Sequence, residues 1–272
     1  MSTSTRRVVR SGVDKVLRPV GGRVLTDAEA AALVRRHHSL VQQLHTAYDL
    51  LFPPGLPPRP RRLELLGELR GTETTEALFL LHALHQALEG PGDVCELGVA
   101  QGATSALLAN EIRDTDRVLW LYDSFQGLSA PHEKDELIDD LFDLGSMDRY
   151  EATMAFPKDA VLERLRSVGF PRARTAVVEG FIRPDLPADF LPQTVAFAYL
   201  DFDLYEPILV GLRLLDPRCR PGSVLMVDDY GYFSSGPQTA VTEFLDANPG
   251  RYELREAPPG TGHFCLLRRV DG

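Results

Sequence analysis

The chain has 272 residues, with 29 lysines and arginines against 39 aspartates and glutamates, a formal net charge of −10. That balance excludes a general nucleic-acid binder, which needs a cationic face for phosphates. With 44% hydrophobic and 25% charged residues the composition is that of one or two globular domains and excludes a disordered chain. No apolar run reaches the roughly 18 residues of a membrane span, and Cys95, Cys219 and Cys265 are too few for a disulfide framework. A cytoplasmic protein is expected.

Residues 1–24 are cationic and aperiodic and read as a flexible or partner-binding arm. The pair Arg6-Arg7 is not followed by an apolar stretch, so no secretory signal is read there. Thr26-Asp27-Ala28-Glu29 has the form of a capping box. Leu33, Val34, Leu40, Val41, Leu44, Tyr48 and Leu51 follow at helical spacing. Five prolines between Phe52 and Pro60 cannot continue a helix and read as a stiff connector. Residues 1–60 are therefore expected to stand apart from a main domain at 61–272. The helix would pack on that domain, cover its site, or pair with a second subunit in a homo-oligomer.

After the connector the pattern changes. Thr72 is expected to cap a helix running to about Glu89, with Glu73 and Glu76 in a first turn whose dipole favours acids. Short β-rich runs then alternate with helical stretches: strands at 93–98, 118–123, 175–179, 195–201 and 223–229, and helices at Thr104–Ile112, Asp159–Val168 and Ile208–Leu215. Each strand is nearly all apolar until its last residue, as expected for parallel strands buried on both faces. The alternation predicts an α/β protein with a doubly wound parallel sheet. Two further strands, Tyr252–Glu256 and Phe264–Arg268, have only a turn-rich link between them and should pair antiparallel.

Acids close the strands: Glu96, Asp123, Glu179, Asp201 and Asp228-Asp229. In open α/β sheets ligands bind outside the carboxyl ends of the strands, so these acids predict a negative crevice suited to a cationic ligand, a metal, or both. Glu96-Leu97-Gly98-Val99-Ala100-Gln101-Gly102 places two glycines between a strand and a helix, where the backbone can turn tightly and approach a ligand. The spacing is not that of the dinucleotide fingerprint; a tight structural turn would also account for it. Asp123, at the next strand end, can accept both hydroxyls of a ribose. A nucleoside without a pyrophosphate suits S-adenosylmethionine. Asp201-Phe202-Asp203-Leu204-Tyr205 and Asp228-Asp229-Tyr230 lie at the ends of strands expected to be neighbours, so Asp201, Asp228 and Asp229 can approach one another. Such carboxylates select Mg²⁺ or a similar hard cation.

The segments CELGVAQG, YDSFQGLSAP, VVEGFIRPDLP, YLDFDLYEP and VLMVDDYGY resemble, in order over about residues 72–269, the macrocin O-methyltransferase family, S-adenosylmethionine-dependent sugar O-methyltransferases of antibiotic biosynthesis. The resemblance implies a Rossmann-like class I methyltransferase fold, a seven-stranded, mostly parallel sheet whose last strand inserts antiparallel. It implies that Glu96, Gly98 and Gly102 hold the methionine end of the cofactor, with Thr104 near its carboxylate at a helix N-terminus. Asp123 would take the ribose, Ser124, Gly180 and Phe181 would border the adenine, and Asp201, Asp228 and Asp229 would bind Mg²⁺. Wider catechol-type relatives carry a lysine where this chain has Leu204, so Asp201 is expected to receive the acceptor's proton. Tyr205, Tyr230 and Tyr232 are candidates to line a sugar pocket, and residues 129–157 a lid over it. His263, at a position where the family tends to have an aromatic residue, and His132 are weaker candidates. The expected acceptor is a small hydroxylated molecule, a glycosylated natural product, with no nucleic-acid or membrane partner. A catechol or other vicinal diol is the alternative acceptor, and a cofactor-binding scaffold without turnover the alternative of another class.

Overall fold

A computed structural model describes residues 25–270; the arm expected at 1–24 lies outside the described residues. Helix α1 (Asp27–Leu51) opens on the expected capping box. The Glu29 N–H donates to Thr26 Oγ1 at 3.0 Å and the Thr26 N–H to Glu29 Oε2 at 2.7 Å, which satisfies two backbone donors reciprocally. The chain divides into two compact units between Gln43 and Leu44, inside α1 and not after the proline tract. Aromatic packing explains the shift, since the rings of Tyr48 and Phe52 each lie 5.2 Å from that of Phe79.

Helices α2 (Arg62–Leu66) and α3 (Thr74–Ala87) follow. Thr72 does not cap α3; Glu73 holds that position without a side-chain bond, and the Thr72 hydroxyl lies 3.3 Å from that of Thr104. Strands β1 (Asp93–Leu97), β2 (Leu119–Asp123), β3 (Thr175–Glu179), β4 (Val195–Leu200), β5 (Cys219–Val227), β6 (Tyr252–Glu256) and β7 (Cys265–Arg269) form one sheet in the order β3-β2-β1-β4-β5-β7-β6. The first five are parallel, and β7 runs antiparallel between β5 and β6. The strand order reverses between β1 and β4, the switch point at which a crevice opens beyond the strand ends. This is the class I methyltransferase arrangement.

Helices α4 (Ala103–Ile112), α5 (Lys158–Ser167), α6 (Tyr205–Leu215) and α7 (Gly236–Ala247) complete the fold. All six residues of β4 are buried, and alternate side chains face opposite ways. Tyr199 points toward Glu76 of α3, whereas Ala198 and Leu200 pack with Ile208 and Leu212 of α6 and Val241 and Phe244 of α7. Helix α6 starts three residues before its predicted start. Pro207 sits in its first turn, where the missing N–H has no intrahelical partner to lose. Helix α7 was not expected. Its signal was the apolar spacing of Pro237, Ala240, Val241 and Phe244, all buried, behind the turn-rich Ser234-Ser235-Gly236. Buried Arg62 binds buried Glu111 of α4 through two bonds, at 2.9 and 2.5 Å, tying α2 to the sheet's helical layer. Cys95, Cys219 and Cys265 are free and buried, and among the described residues no helix is long and apolar enough to cross a membrane.

Candidate active site

A cavity of about 700 Å³ opens beyond the carboxyl ends of β1, β2, β4 and β5. Nine carboxylates line it, and Arg70 is the single arginine or lysine among its described lining residues. Four of the five acid-bearing strand ends contribute. The fifth, β3, brings Gly180 and Phe181 but not its acid: Glu179 is exposed and pairs with Lys158 of α5.

The glycine loop after β1 is held by both neighbouring strands. Gly98 donates its N–H to Tyr122 O at 2.9 Å, and the Asp201 N–H donates to Leu97 O at 2.7 Å. Gly98 has φ +87°, and a Cβ there would stand 1.8 Å from the Asp201 carbonyl oxygen, so only glycine lets β1 and β4 end side by side. Gly102 is the N-cap of α4, which aims that helix's first N–H groups and buried Thr104 toward the cavity. Glu96, also buried, accepts a bond from Ser105 of α4. Burial, reinforced by the charge of Asp123 and opposed by the Ser105 bond, pushes its carboxyl up to about 8. A cationic ligand group would remove that penalty by pairing with the ionised form.

Asp123 shapes the loop as well as facing the cavity. Its Oδ2 accepts the N–H groups of Val99 and Ala100 at 2.7 and 3.0 Å, and its Oδ1 that of Phe125 at 2.6 Å. Ser124 lines the cavity, yet its hydroxyl is spent on the local turn, donating to Gly127 O at 2.9 Å and accepting the Gln126 N–H at 3.0 Å. Gly180 and Phe181 line the same side, Phe181 half exposed at 46%.

The acid cluster lies at the ends of β4 and β5. Carboxylate oxygens of Asp201, Asp203 and Asp229 come within 4.8 Å of one another. Burial and the charges of neighbouring carboxylates, Asp228 among them, raise all three, Asp201 and Asp203 far above the usual carboxylate range and Asp229 to about 7. Hard oxygen donors at this spacing fit a divalent cation, which would offset the repulsion. Asp203 is not among the site acids that the sequence points to. Asp228 stands beside Asp201 as expected, sharing a side-chain hydrogen bond with it, while the three carboxylates that converge most closely are those of Asp201, Asp203 and Asp229. Asp228 Oδ2 accepts the Tyr199 hydroxyl, and its Oδ1 accepts the Asp229 N–H at 2.8 Å.

Glu76 of α3 is a second residue that sequence reasoning missed, read there only as a first-turn acid. It is buried, lines the cavity and lies 3.3 Å from the Tyr199 hydroxyl. The signal was a glutamate at the start of an otherwise apolar helix, Ala-Leu-Phe-Leu-Leu. Of the three tyrosines offered for a sugar pocket, Tyr232 alone lines the cavity, stacked on His263 with ring centroids 3.9 Å apart. Tyr205 turns away: its hydroxyl donates to Glu243 Oε2 at 2.7 Å and accepts from Lys134 Nζ at 2.9 Å, and its ring lies 4.8 Å from that of His132. Tyr230, half-buried, packs against the main core. The segment expected as a lid is irregular apart from a short turn at Met147–Tyr150. It carries a small core of its own, Met147 and Tyr150 with Leu204 and Phe233, and brings Leu141, Phe142, Met154 and Phe156 to the cavity.

Comparison with known proteins agrees with this geometry. The family model for macrocin O-methyltransferase (TylF) matches residues 80–255. The 8-demethyl-8-(2,3-dimethoxy-alpha-L-rhamnosyl)-tetracenomycin-C 4'-O-methyltransferase of Streptomyces olivaceus is 29% identical over 143 residues, 52% of this chain and 53% of that protein. The mycinamicin III 3''-O-methyltransferase of Micromonospora griseorubida is 29% identical over 161 residues, 56% and 61% of the two chains. The match thus spans little more than half the length of these curated relatives. Among solved structures, a calicheamicin methyltransferase aligns with TM-score 0.61 and 25% identity over 91% of this chain and 95% of that one. The O-methyltransferase NovP aligns with TM-score 0.63 and 20% identity, over 88% and 100%, a likeness of fold.

Proposed function

From the premise that this chain belongs to the macrocin O-methyltransferase family, we propose that it is an S-adenosylmethionine-dependent O-methyltransferase acting on a sugar hydroxyl of a glycosylated natural product of antibiotic biosynthesis. The observation that carries the reading is the contact of Gly98 with the Asp201 backbone. It joins the glycine loop suited to the cofactor and the acids suited to the acceptor into one cavity.

In this proposal the cofactor supplies the methyl group from its sulfonium. Glu96 takes the ammonium of its amino-acid end, and Gly98, Gly102 and Thr104 accommodate the adjoining carboxylate at the start of α4, where backbone N–H groups attract anions. Asp123 has lone pairs left for ribose hydroxyls, because a carboxylate offers about four acceptor sites and three are taken by N–H groups. Ser124, Gly180 and Phe181 form the adenine wall.

Asp201, Asp228 and Asp229 are the proposed ligands of a Mg²⁺ or similar ion, with Asp203 converging on the same point; such an ion would lower the pKa of an acceptor hydroxyl. Asp201 is the proposed proton acceptor. Tyr232, stacked on His263, offers a flat face to a sugar ring, while Leu141 and Phe142, 42% and 50% exposed at the cavity rim, suit an apolar body attached to that sugar. These rim residues favour a glycoside over a bare catechol.

Helix α1 is proposed to pair with a second copy of the chain, supported by the exposure of Leu33, Val34 and Leu40. Light scattering on the chain with Leu33 and Leu40 replaced by glutamate checks this, and an unchanged mass rejects it.

Calorimetric titration with S-adenosylhomocysteine, with and without Mg²⁺, tests the cofactor. A turnover screen of deoxysugar-bearing macrolides against catechol tests the acceptor. Binding followed by macrolide turnover is expected, whereas no heat and no thermal shift would reject the methyltransferase reading.

A further inference from the structure

Asp135 belongs to the irregular segment between β2 and α5 and does not line the cavity, yet it is only 6% exposed. Its Oδ1 accepts the Tyr205 N–H at 2.8 Å and lies 3.4 Å from the Ser234 hydroxyl, which donates to the Asp203 carbonyl oxygen at 2.9 Å. Its Oδ2 accepts the His132 N–H at 2.8 Å. Tyr205 is the first residue of α6, and Leu204 at the N-cap provides no side-chain bond. The first N–H groups of a helix need partners from outside it, and Asp135 supplies one from 70 residues away.

The turn secured in this way carries Asp203, whose φ of +61° is a left-handed conformation that a residue with a side chain keeps only where its surroundings over-determine it. Space is reserved for the carboxylate: a Cβ on Gly236 would stand 1.9 Å from Asp135 Oδ1 and 2.5 Å from Tyr205 N. The segment bearing Asp135 is itself tied down. Glu136 donates its N–H to Ser235 Oγ at 2.9 Å, and the Ser235 hydroxyl donates to Lys134 O at 2.8 Å.

We infer that Asp135 is a positioning residue for the acid cluster, holding the Phe202–Tyr205 turn through the Tyr205 N–H and the Ser234 hydroxyl so that the Asp203 carboxyl meets those of Asp201 and Asp229. The clamp is a statement about this chain alone; its consequence for cation binding rests on the proposed function.

The test uses the full chain and four proteins: the unmodified protein, Asp135→Ala, Asp135→Asn and Ser234→Ala. Amide exchange followed by mass spectrometry reads the peptide spanning residues 201–207, and calorimetry reads Mn²⁺ and S-adenosylhomocysteine. Both alanine variants are expected to speed exchange in that peptide. They should weaken Mn²⁺ by about 10-fold, as loss of a group that orients a metal ligand does, while S-adenosylhomocysteine affinity stays within about 3-fold of the unmodified protein. Asp135→Asn keeps an oxygen for the Tyr205 N–H and should recover most of the loss.

A purely structural role would lower Tm with Mn²⁺ affinity unchanged, and that result overturns the inference. Unchanged exchange at 201–207 in both alanine variants overturns it as well. If Asp135→Ala does not fold, Ser234→Ala and Asp135→Asn decide the matter by the same readouts. Absence of Mn²⁺ binding by the unmodified protein would reject the cation part of the proposed function, and exchange at 201–207 would still decide the clamp.

Discussion

Replacing Gly98 by alanine should damage fold and site together, and by more than the usual cost of a left-handed residue. An alanine at φ +87° costs about 1–2 kcal/mol for handedness alone. The added methyl would lie 1.8 Å from the Asp201 carbonyl oxygen and 2.6 Å from its carbon, both backbone atoms that cannot rotate aside. To restore a contact of about 3 Å the ends of β1 and β4 must part by roughly 1.2 Å, an overpacking that costs about 1–3 kcal/mol more. The bond from Asp201 N to Leu97 O, 2.7 Å long, is strained by the same movement.

The total expected is about 2–5 kcal/mol, read by urea unfolding of the cofactor-free protein. Gly169→Ala is the control. It has φ +73° and nothing within 4 Å of the added carbon, so it should cost only about 1–2 kcal/mol, for handedness alone. Because Asp201 moves with the strand end, any methyl transfer should also fall by about 100-fold, the cost of a misplacement near 1 Å. Equal losses of stability in the two variants, or unaltered turnover in Gly98→Ala, would refute the reasoning.

Other outcomes follow from the same geometry. Asp201→Ala should abolish methyl transfer while leaving S-adenosylhomocysteine affinity within a few-fold, by calorimetry beside a turnover assay; normal turnover would remove both the cation and the proton-acceptor roles of Asp201. The raised carboxyl of Glu96, near 8 against an ordinary 4.5, keeps its proton in the folded state over a range in which the unfolded chain has lost it. Unfolding therefore releases a proton, and stability of the cofactor-free protein falls as pH rises from about 4.5 to about 8, by a sum on the order of a few kcal/mol. Glu96→Gln should flatten that decline, and urea midpoints across this pH range check it. Arg62→Met leaves Glu111, fully buried, without its bidentate partner and should cost about 3–5 kcal/mol with no change in cofactor affinity; a loss below about 1 kcal/mol would show that His85 and Arg59, at 2.8 and 3.9 Å from Glu111 Oε2, compensate the charge.

The parallel strands and most helices were legible in the chain because burial on both faces leaves a continuous apolar run, and each run ended where its acid did. β3 and β6 match residue for residue. The glycine loop was legible because a tight turn restricts residue type locally, and the order of five motifs was enough to name the family. The site was harder to read where its parts come from surfaces that meet only on folding. Glu76 looks like any first-turn acid until α3 is laid across β4 and β5, and Asp203 and Asp228 differ in the sequence only by motif position. Their surroundings differ because Tyr199, pointing to one face of β4, bonds an oxygen of Asp228, while the left-handed turn swings Asp203 toward Asp229. The tyrosines show the same limit, for Tyr205 and Tyr232 sit in equally suggestive motifs, and only the placement of Lys134 and Glu243, respectively 71 and 38 residues from Tyr205 in the chain, turns one of them away from the cavity. Periodicity and turn chemistry act between neighbours and survive in the order of residues; the direction in which a polar side chain finally points depends on partners that folding brings from far along the chain.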